Sequence, residues 1–222
     1  MKGTKQDSPK HIIEIVRDDN PQNPREWDNG CVMLCNRGRR VLSDKHAAIK
    51  IAEIVRKHPK YDAEMENAFN EDDEENKEYL DMADHYDMMK MLNTLKIAWL
   101  PVYLYDHGGL SVNTTGFSCH WDSGQVGIIV IDPSEYGGDN AEDYLRNEVK
   151  VYDQYLTGDT YGVRIFEVCP CCGEKVEQID ANFGFLGDDF ENNGAKEFIC
   201  GEHGESQADF EAAVIRGARI TN

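Results

Sequence analysis

IAWLPVYLYDHGGLSVNTTGFSCHWDSGQVGIIVID, residues 97–132, decides the fold. Three runs rich in β-branched and aromatic residues, IAWLPVYLYD, GLSVNT and QVGIIVID, are separated by a Gly-Gly pair and by the polar stretch FSCHWDSG. Runs of this kind suit a pleated, half-buried surface, and short polar spacers suit tight turns. Three antiparallel strands are therefore expected.

Working outward, HIIEIV (11–16) and CVMLC (31–35) read as two further strands, expected to pair with each other across the Pro- and Asn-rich loop DDNPQNPREWDNG (18–30). YGVRIFEV (161–168) supplies another. Helical spacing appears in three places. SDKHAAIKIAEIVRKH offers Ser43 as an N-cap, then Ile49, Ala52, Ile54 and Val55, with Pro59 beyond the end. Tyr79, Met82, Tyr86, Met89 and Leu92 recur at steps of three and four, and Leu145, Val149, Tyr152 and Leu156 share one face before Gly158. The expectation is an α+β protein: a mainly antiparallel sheet from strands near 11, 31, 98, 109, 126 and 162, covered by helices near 44–57, 73–95 and 139–156. A core domain over 1–165, including the acidic helical segment 62–95, is expected to precede a small extension over 166–222 that holds a zinc knuckle and a C-terminal helix.

Charge is the strongest compositional signal. Among 222 residues, 23 Lys and Arg face 42 Asp and Glu, for a net charge of −19. Direct binding to nucleic-acid phosphates is unfavourable over most of such a surface, whereas a basic protein would be attracted. Residues 62–87 hold twelve carboxylates and one lysine. Glu71, Asp72, Asp73, Glu74, Glu75, Glu78, Asp81 and Asp84 are the candidate partner-binding residues there, because carboxylates three and four apart on a helix stand about 5–6 Å apart and can imitate a row of phosphates. No run approaches the roughly 18 apolar residues of a membrane helix, and the N-terminus lacks the apolar run of a signal peptide. A soluble protein of the bacterial cytoplasm is expected.

Seven cysteines, an odd number set in short-spaced groups, favour reduced thiols. CPCCG (169–173) and CGEHG (200–204) each place two metal-ligating side chains three residues apart with a glycine following. Cys169, Cys172, Cys200 and His203 are accordingly expected to hold a structural Zn²⁺, with Cys171 leaving the choice within the first pair open. All four positions would then be filled by protein, giving a closed site.

Around FSCHWDSGQVG, the residues Asp106, His107, Cys119, His120 and Asp122 could converge in a hairpin. Adjacent Cys119 and His120 on an extended chain point to opposite faces, so His107 with Cys119 is the better nucleophile and base pairing, with Asp106 or Asp122 orienting the imidazole. Asp-His-Gly-Gly and Trp-Asp-Ser-Gly read equally as plain turns, and that reading is preferred. Phosphate-loop, dinucleotide, H-E-x-x-H and G-x-S-x-G patterns are absent from the sequence.

NPREWDN, LPVYLYDHGGLSVNTTGFSCHWDSGQVG, EVKVYDQYLTGDTYGV and NFGFLGDD together resemble an uncharacterised family of small bacteriophage and mobile-element proteins, over roughly residues 23–189. Asp106, His107, Trp121, Asp122, Gln125 and Asp153 match the family pattern. His120 stands where the family has proline, and many members lack the knuckle pairs, which counts against His120 as a catalytic group and makes the metal site particular to this branch. The resemblance implies a setting and no chemistry.

Charge and setting together give the leading expectation: a non-catalytic, nucleic-acid-mimicking inhibitor of a host defence nuclease or restriction system. Its partner would be a host protein with a basic nucleic-acid-binding surface. The alternatives are a small hydrolase or transferase built on Asp106, His107, Cys119 and Asp122, and a protein sequestering a signalling nucleotide with Trp121, Tyr155 and the basic run Arg37, Arg39 and Arg40.

Overall fold

A computed structural model describes residues 11–35, 42–61, 82–136 and 139–217, with side chains of the helix at 82–95 described from Met88 onward. The chain forms two compact units, Asn23–Thr157 and the flanking segments up to Gln22 and from Gly158. The division expected at 165/166 is thus replaced by one in which a segment from the N-terminal side joins the C-terminal unit.

In the larger unit, β2 (Cys31–Cys35), β3 (Trp99–Asp106), β4 (Leu110–Asn113) and β5 (Ser123–Ile131) form an antiparallel sheet of order β2-β5-β3-β4. The hairpin around Gly108 forms as the sequence requires, whereas the FSCHWD stretch carries the chain across β3, because β4 and β5 flank that strand on opposite sides and do not pair with each other. Leu100, Val102 and Leu104 alternate inward along β3, while β5 becomes continuously buried from Val126 to Ile131. Continuous burial is the signature of a strand covered on both faces. A side chain at Gly127 would overlap the Leu34 carbonyl, so only glycine lets β5 lie this close to β2.

Helix α1 (Ala47–Lys57) packs on β2, and α2 (Met82–Leu95) touches α1. Helix α3 (Ala141–Thr157) lies on β3 and β4. Ile51, Val55, Leu92 and Leu145 are almost fully buried, each stabilising the fold by about 1.5–3 kcal/mol relative to exposure. Gly158, at φ +72°, ends α3 as expected.

Two local expectations for α1 and α2 shift. Ser43 is no N-cap: its hydroxyl accepts from the Cys35 amide at 2.7 Å and donates to the Cys35 carbonyl at 2.6 Å, closing the end of β2, and α1 starts four residues later. The buried face of α1 is Ala47, Ile51, Ile54 and Val55, with Ile49 exposed, and that of α2 is Met88, Met91, Leu92 and Leu95. Residues 73–81 of the expected acidic helix lie outside the described residues.

β1 (His11–Arg17) does not pair with β2. It lies antiparallel to β6 (Thr160–Val168), which in turn pairs with β7 (Lys175–Leu186), in a sheet of order β1-β6-β7. The Ile13 and Ile15 side chains that invited a pairing with CVMLC instead complete a second core with Val163, Ile165, Phe185, Phe198 and Phe210. Helix α4 (Gln207–Gly217) covers β1. β7 is invisible as a strand in sequence because most of its residues are exposed on both faces, so no apolar alternation marks it. The α+β class, mainly antiparallel with helices on the sheets and a cysteine turn toward the C-terminus, stands.

Candidate functional site

The CPCCG stretch forms the turn between β6 and β7. The Cys169 amide donates to the Glu174 carbonyl and the Gly173 amide to the Cys169 carbonyl, both at 2.8 Å. Gly173 sits at φ +76°, a backbone state that glycine adopts at little cost. This tight loop turns three thiols toward one point. Cys169, Cys171 and Cys172 place their Sγ atoms within 4.8 Å of one another. The Cys169 and Cys171 sulfurs are 2.8 Å apart, and Cys172 Sγ lies 3.9 Å from Glu174 Oε2.

Hydrogen bonds shift two of these thiols in opposite directions. The Cys171 thiol, followed by the backbone amides of Cys171 and Cys172, brings the Cys169 thiol down from 9.0 to about 7, while Cys171 is raised by giving its proton to Cys169 and Cys172. A thiolate is the metal-binding form, and lowering Cys169 to about 7 makes it the thiol of the turn that gives up its proton most readily.

Cys200 and His203, expected in the same site, lie elsewhere. Cys200 sits against the second core, burial raising its thiol above the ordinary value. His203 Nε2 is 3.0 Å from Asp180 Oδ2 and packs edge-on against Phe198. Asp180 is opposite Ile165, three residues along β6 from Val168, so about 10 Å of strand separates it from the turn. A zinc ion reaches its ligands over about 2–2.3 Å, and neither Cys200 nor His203 joins the group of ligand atoms that lie within 4.8 Å of one another. The expected four-ligand set is not assembled: the structure brings together Cys169, Cys171 and Cys172, three thiols that could hold an ion, and leaves Cys200 and His203 apart from them. Cys171, the thiol whose place was left open by the sequence, is the third member.

The hairpin cluster forms differently from a nucleophile and base pair. Asp122 Oδ2 lies 3.3 Å from His107 Nδ1 and 3.6 Å from Cys119 Sγ, so one carboxylate holds both groups. His107 and Cys119 make no hydrogen bond to each other among the described residues. The Asp106 amide donates to the Asp122 carbonyl at 2.9 Å, and the Ser123 hydroxyl bonds the Cys119 carbonyl. These contacts close a turn on which the His107 side chain is 70% exposed. Deprotonating the thiol needs a base in contact with it, and Asp122 is the group in that position.

Other motif residues have structural partners. Asp153 Oδ1 accepts from the Ser111 hydroxyl at 2.7 Å and the Val112 amide at 2.8 Å, fixing β4 to α3. Arg25, in NPREWDN, binds Asp44 and Glu148 in the larger core. Trp121 is 96% exposed, whereas Tyr155 stacks on Tyr152, so the two aromatics proposed to clasp a nucleotide are not brought together. Arg37, Arg39 and Arg40 lie outside the described residues, as do Glu71, Asp72, Asp73, Glu74, Glu75, Glu78 and Asp81. Asp84 falls on α2 with its side chain undescribed.

The charge of the smaller unit goes unremarked in the sequence reading. In the smaller unit the described residues carry 16 Asp and Glu against five Lys and Arg. Lys175 pairs with Glu14 at 2.8 Å and Lys196 with Glu191 at 2.5 Å. Arg17 donates to the Gly158 carbonyl, Arg164 lies over the Phe183 ring, and Arg216 donates to the Ile13 carbonyl at 3.4 Å. The signal was available in the totals but was masked by the denser run at 62–87.

No family model, curated protein or solved structure matches this chain. Among the described residues, no helix is long and apolar enough to cross a membrane.

Proposed function

We propose that the protein is a non-catalytic acidic binding protein that occupies the basic nucleic-acid groove of another protein. The observation carrying this reading is the folded acidic unit, whose described residues set 16 carboxylates against five cations, each of those five engaged by a partner within the same unit. Carboxylates on strands and helices hold their positions, and a fixed negative field both steers a basic partner and competes with phosphates for it. The run at 62–87 adds a further eleven net negative charges. The bacteriophage resemblance supports placing that partner among host defence nucleases and restriction enzymes.

Within this reading the thiol turn holds a structural Zn²⁺ through Cys169, Cys171 and Cys172. Three soft donors within 4.8 Å, one of them lowered to about 7, fit a thiophilic divalent ion. A bound ion would staple the end of the β6–β7 hairpin, a stretch whose side chains are otherwise exposed.

Capture of host proteins on the immobilised chain, with elution by duplex DNA, tests the proposal. A nuclease or other DNA-binding protein released by DNA is expected. Retention of partners indifferent to DNA would overturn it.

A further inference from the structure

We infer that a cleft in the smaller unit is a docking site for an arginine side chain carried beside an aliphatic residue on a partner protein; this rests on the acidic-binding reading and gives it a location. The cleft, about 320 Å³, opens between the loop after β7 and helix α4. Its floor is apolar: Phe190 and Phe210 lie beneath, Val214 lines one wall, and Ile215 is 60% exposed at the lip. Its rim is acidic, with Asp188, Asp189, Glu191 and Glu211.

An apolar floor alone would suit any apolar group, and carboxylates alone any cation. Together they select a cation on an apolar stem, and about 320 Å³ is room for one or two side chains rather than a folded element. The chain already contains a small example of the chemistry: Lys196 Nζ stands 5.8 Å from the centroid of Phe210 while binding Glu191 Oε2 at 2.5 Å. Glu191 and Glu211 also each accept from Gln207 Nε2, and Asp189 accepts from the Asn192 amide. Asp188 has no side-chain hydrogen bond or ion pair among the described residues. One lysine therefore answers four carboxylates, leaving a net demand for positive charge at the mouth. A guanidinium meets it better than an ammonium, because its planar fork can engage a carboxylate through two nitrogens and lie flat against an aromatic or aliphatic wall.

The probe is a blocked five-residue peptide with leucine between two arginines, titrated into the full-length chain while the methyl signals of Val214 and Ile215 are followed by NMR. Saturable shifts of these methyls are expected. Replacing both arginines by citrulline, which keeps shape and removes charge, and the paired surface changes Asp188→Asn and Glu211→Gln should each weaken binding about fivefold or more. Ile215→Ser should weaken it without altering the salt dependence. Binding that leaves the Val214 and Ile215 signals unmoved overturns the cleft while the acidic-binding reading stands. Failure of the peptide to bind anywhere on the chain at low salt overturns both.

Discussion

Arg25 grips Asp44 through two nitrogens, Nε to Oδ1 at 2.9 Å and Nη2 to Oδ2 at 2.6 Å, with the two side chains 4% and 7% exposed. Asp44 in turn accepts from the Met33 amide, and Arg25 reaches Glu148 on α3 and the Cys31 carbonyl. The pair thus ties the turn at Pro24–Glu26, strand β2, the approach to α1 and helix α3 into one arrangement. Removing the guanidinium leaves Asp44 buried and uncompensated. Arg25→Met is expected to destabilise the larger unit by about 3–5 kcal/mol, read as a lowered urea midpoint. A change below about 1 kcal/mol would show the network to be incidental.

The thiol turn predicts a different ligand dependence from the one spacing suggests. Protein purified without added metal should carry Zn²⁺, and Cys171→Ser should lose it along with Cys169→Ser and Cys172→Ser. Cys200→Ser and His203→Ala should retain it, since neither group reaches the turn. Metal analysis of the five variants decides the ligand set. Retention in Cys171→Ser with loss in His203→Ala would restore the closed four-ligand site.

Alkaline pH should weaken the larger unit. Burial pushes the Cys31 and Cys35 thiols up from 9.0 to about 12, and Tyr152 from 10.0 to about 12. Unfolded, these groups lose their protons first, so the folded state binds more protons in this range and stability falls as pH rises. The contribution of the two thiols is fully present below about pH 9 and is lost as pH climbs toward about 12. Denaturation midpoints measured from about pH 8 to pH 10 should decline, and Cys35→Ala should decline less steeply from a lower starting stability. An unchanged slope in that variant would contradict the assignment.

Partner binding should not depend on the Asp122 cluster. His107→Ala and Cys119→Ala each remove an exposed or half-exposed group and leave the backbone turn intact, so affinity for a captured partner should change by less than about twofold. Loss of a measured biological activity in His107→Ala, with folding and partner binding unaffected, would instead support a catalytic role for His107.

The four-stranded sheet was legible because its strands alternate or run continuously apolar between turn residues, as in Leu100, Val102 and Leu104 and in Val126–Ile131. What failed was partner choice. Ile13 and Ile15 mark an apolar strand but carry no information about which sheet receives them, and the nearest strand in sequence was not the one across the sheet. Ser43 misled for a related reason: its hydroxyl can cap a helix or close a strand end, and the Cys35 backbone was the nearer partner. At the candidate site, Cys169 and Cys172 were visible from spacing, whereas the displacement of Cys200 and His203 follows from β7, a strand too exposed to leave a pattern.

Recognition of a protein partner through charge is tested most directly by the affinity for a partner captured from host lysate, measured across a salt series. Between about 50 and 300 mM salt the dissociation constant should rise at least about tenfold, and duplex DNA should displace the chain competitively. Converting Glu71, Asp72, Asp73, Glu74, Glu75, Glu78, Asp81 and Asp84 to their amides should flatten that dependence. An affinity unmoved by salt, by DNA and by these substitutions would contradict the account.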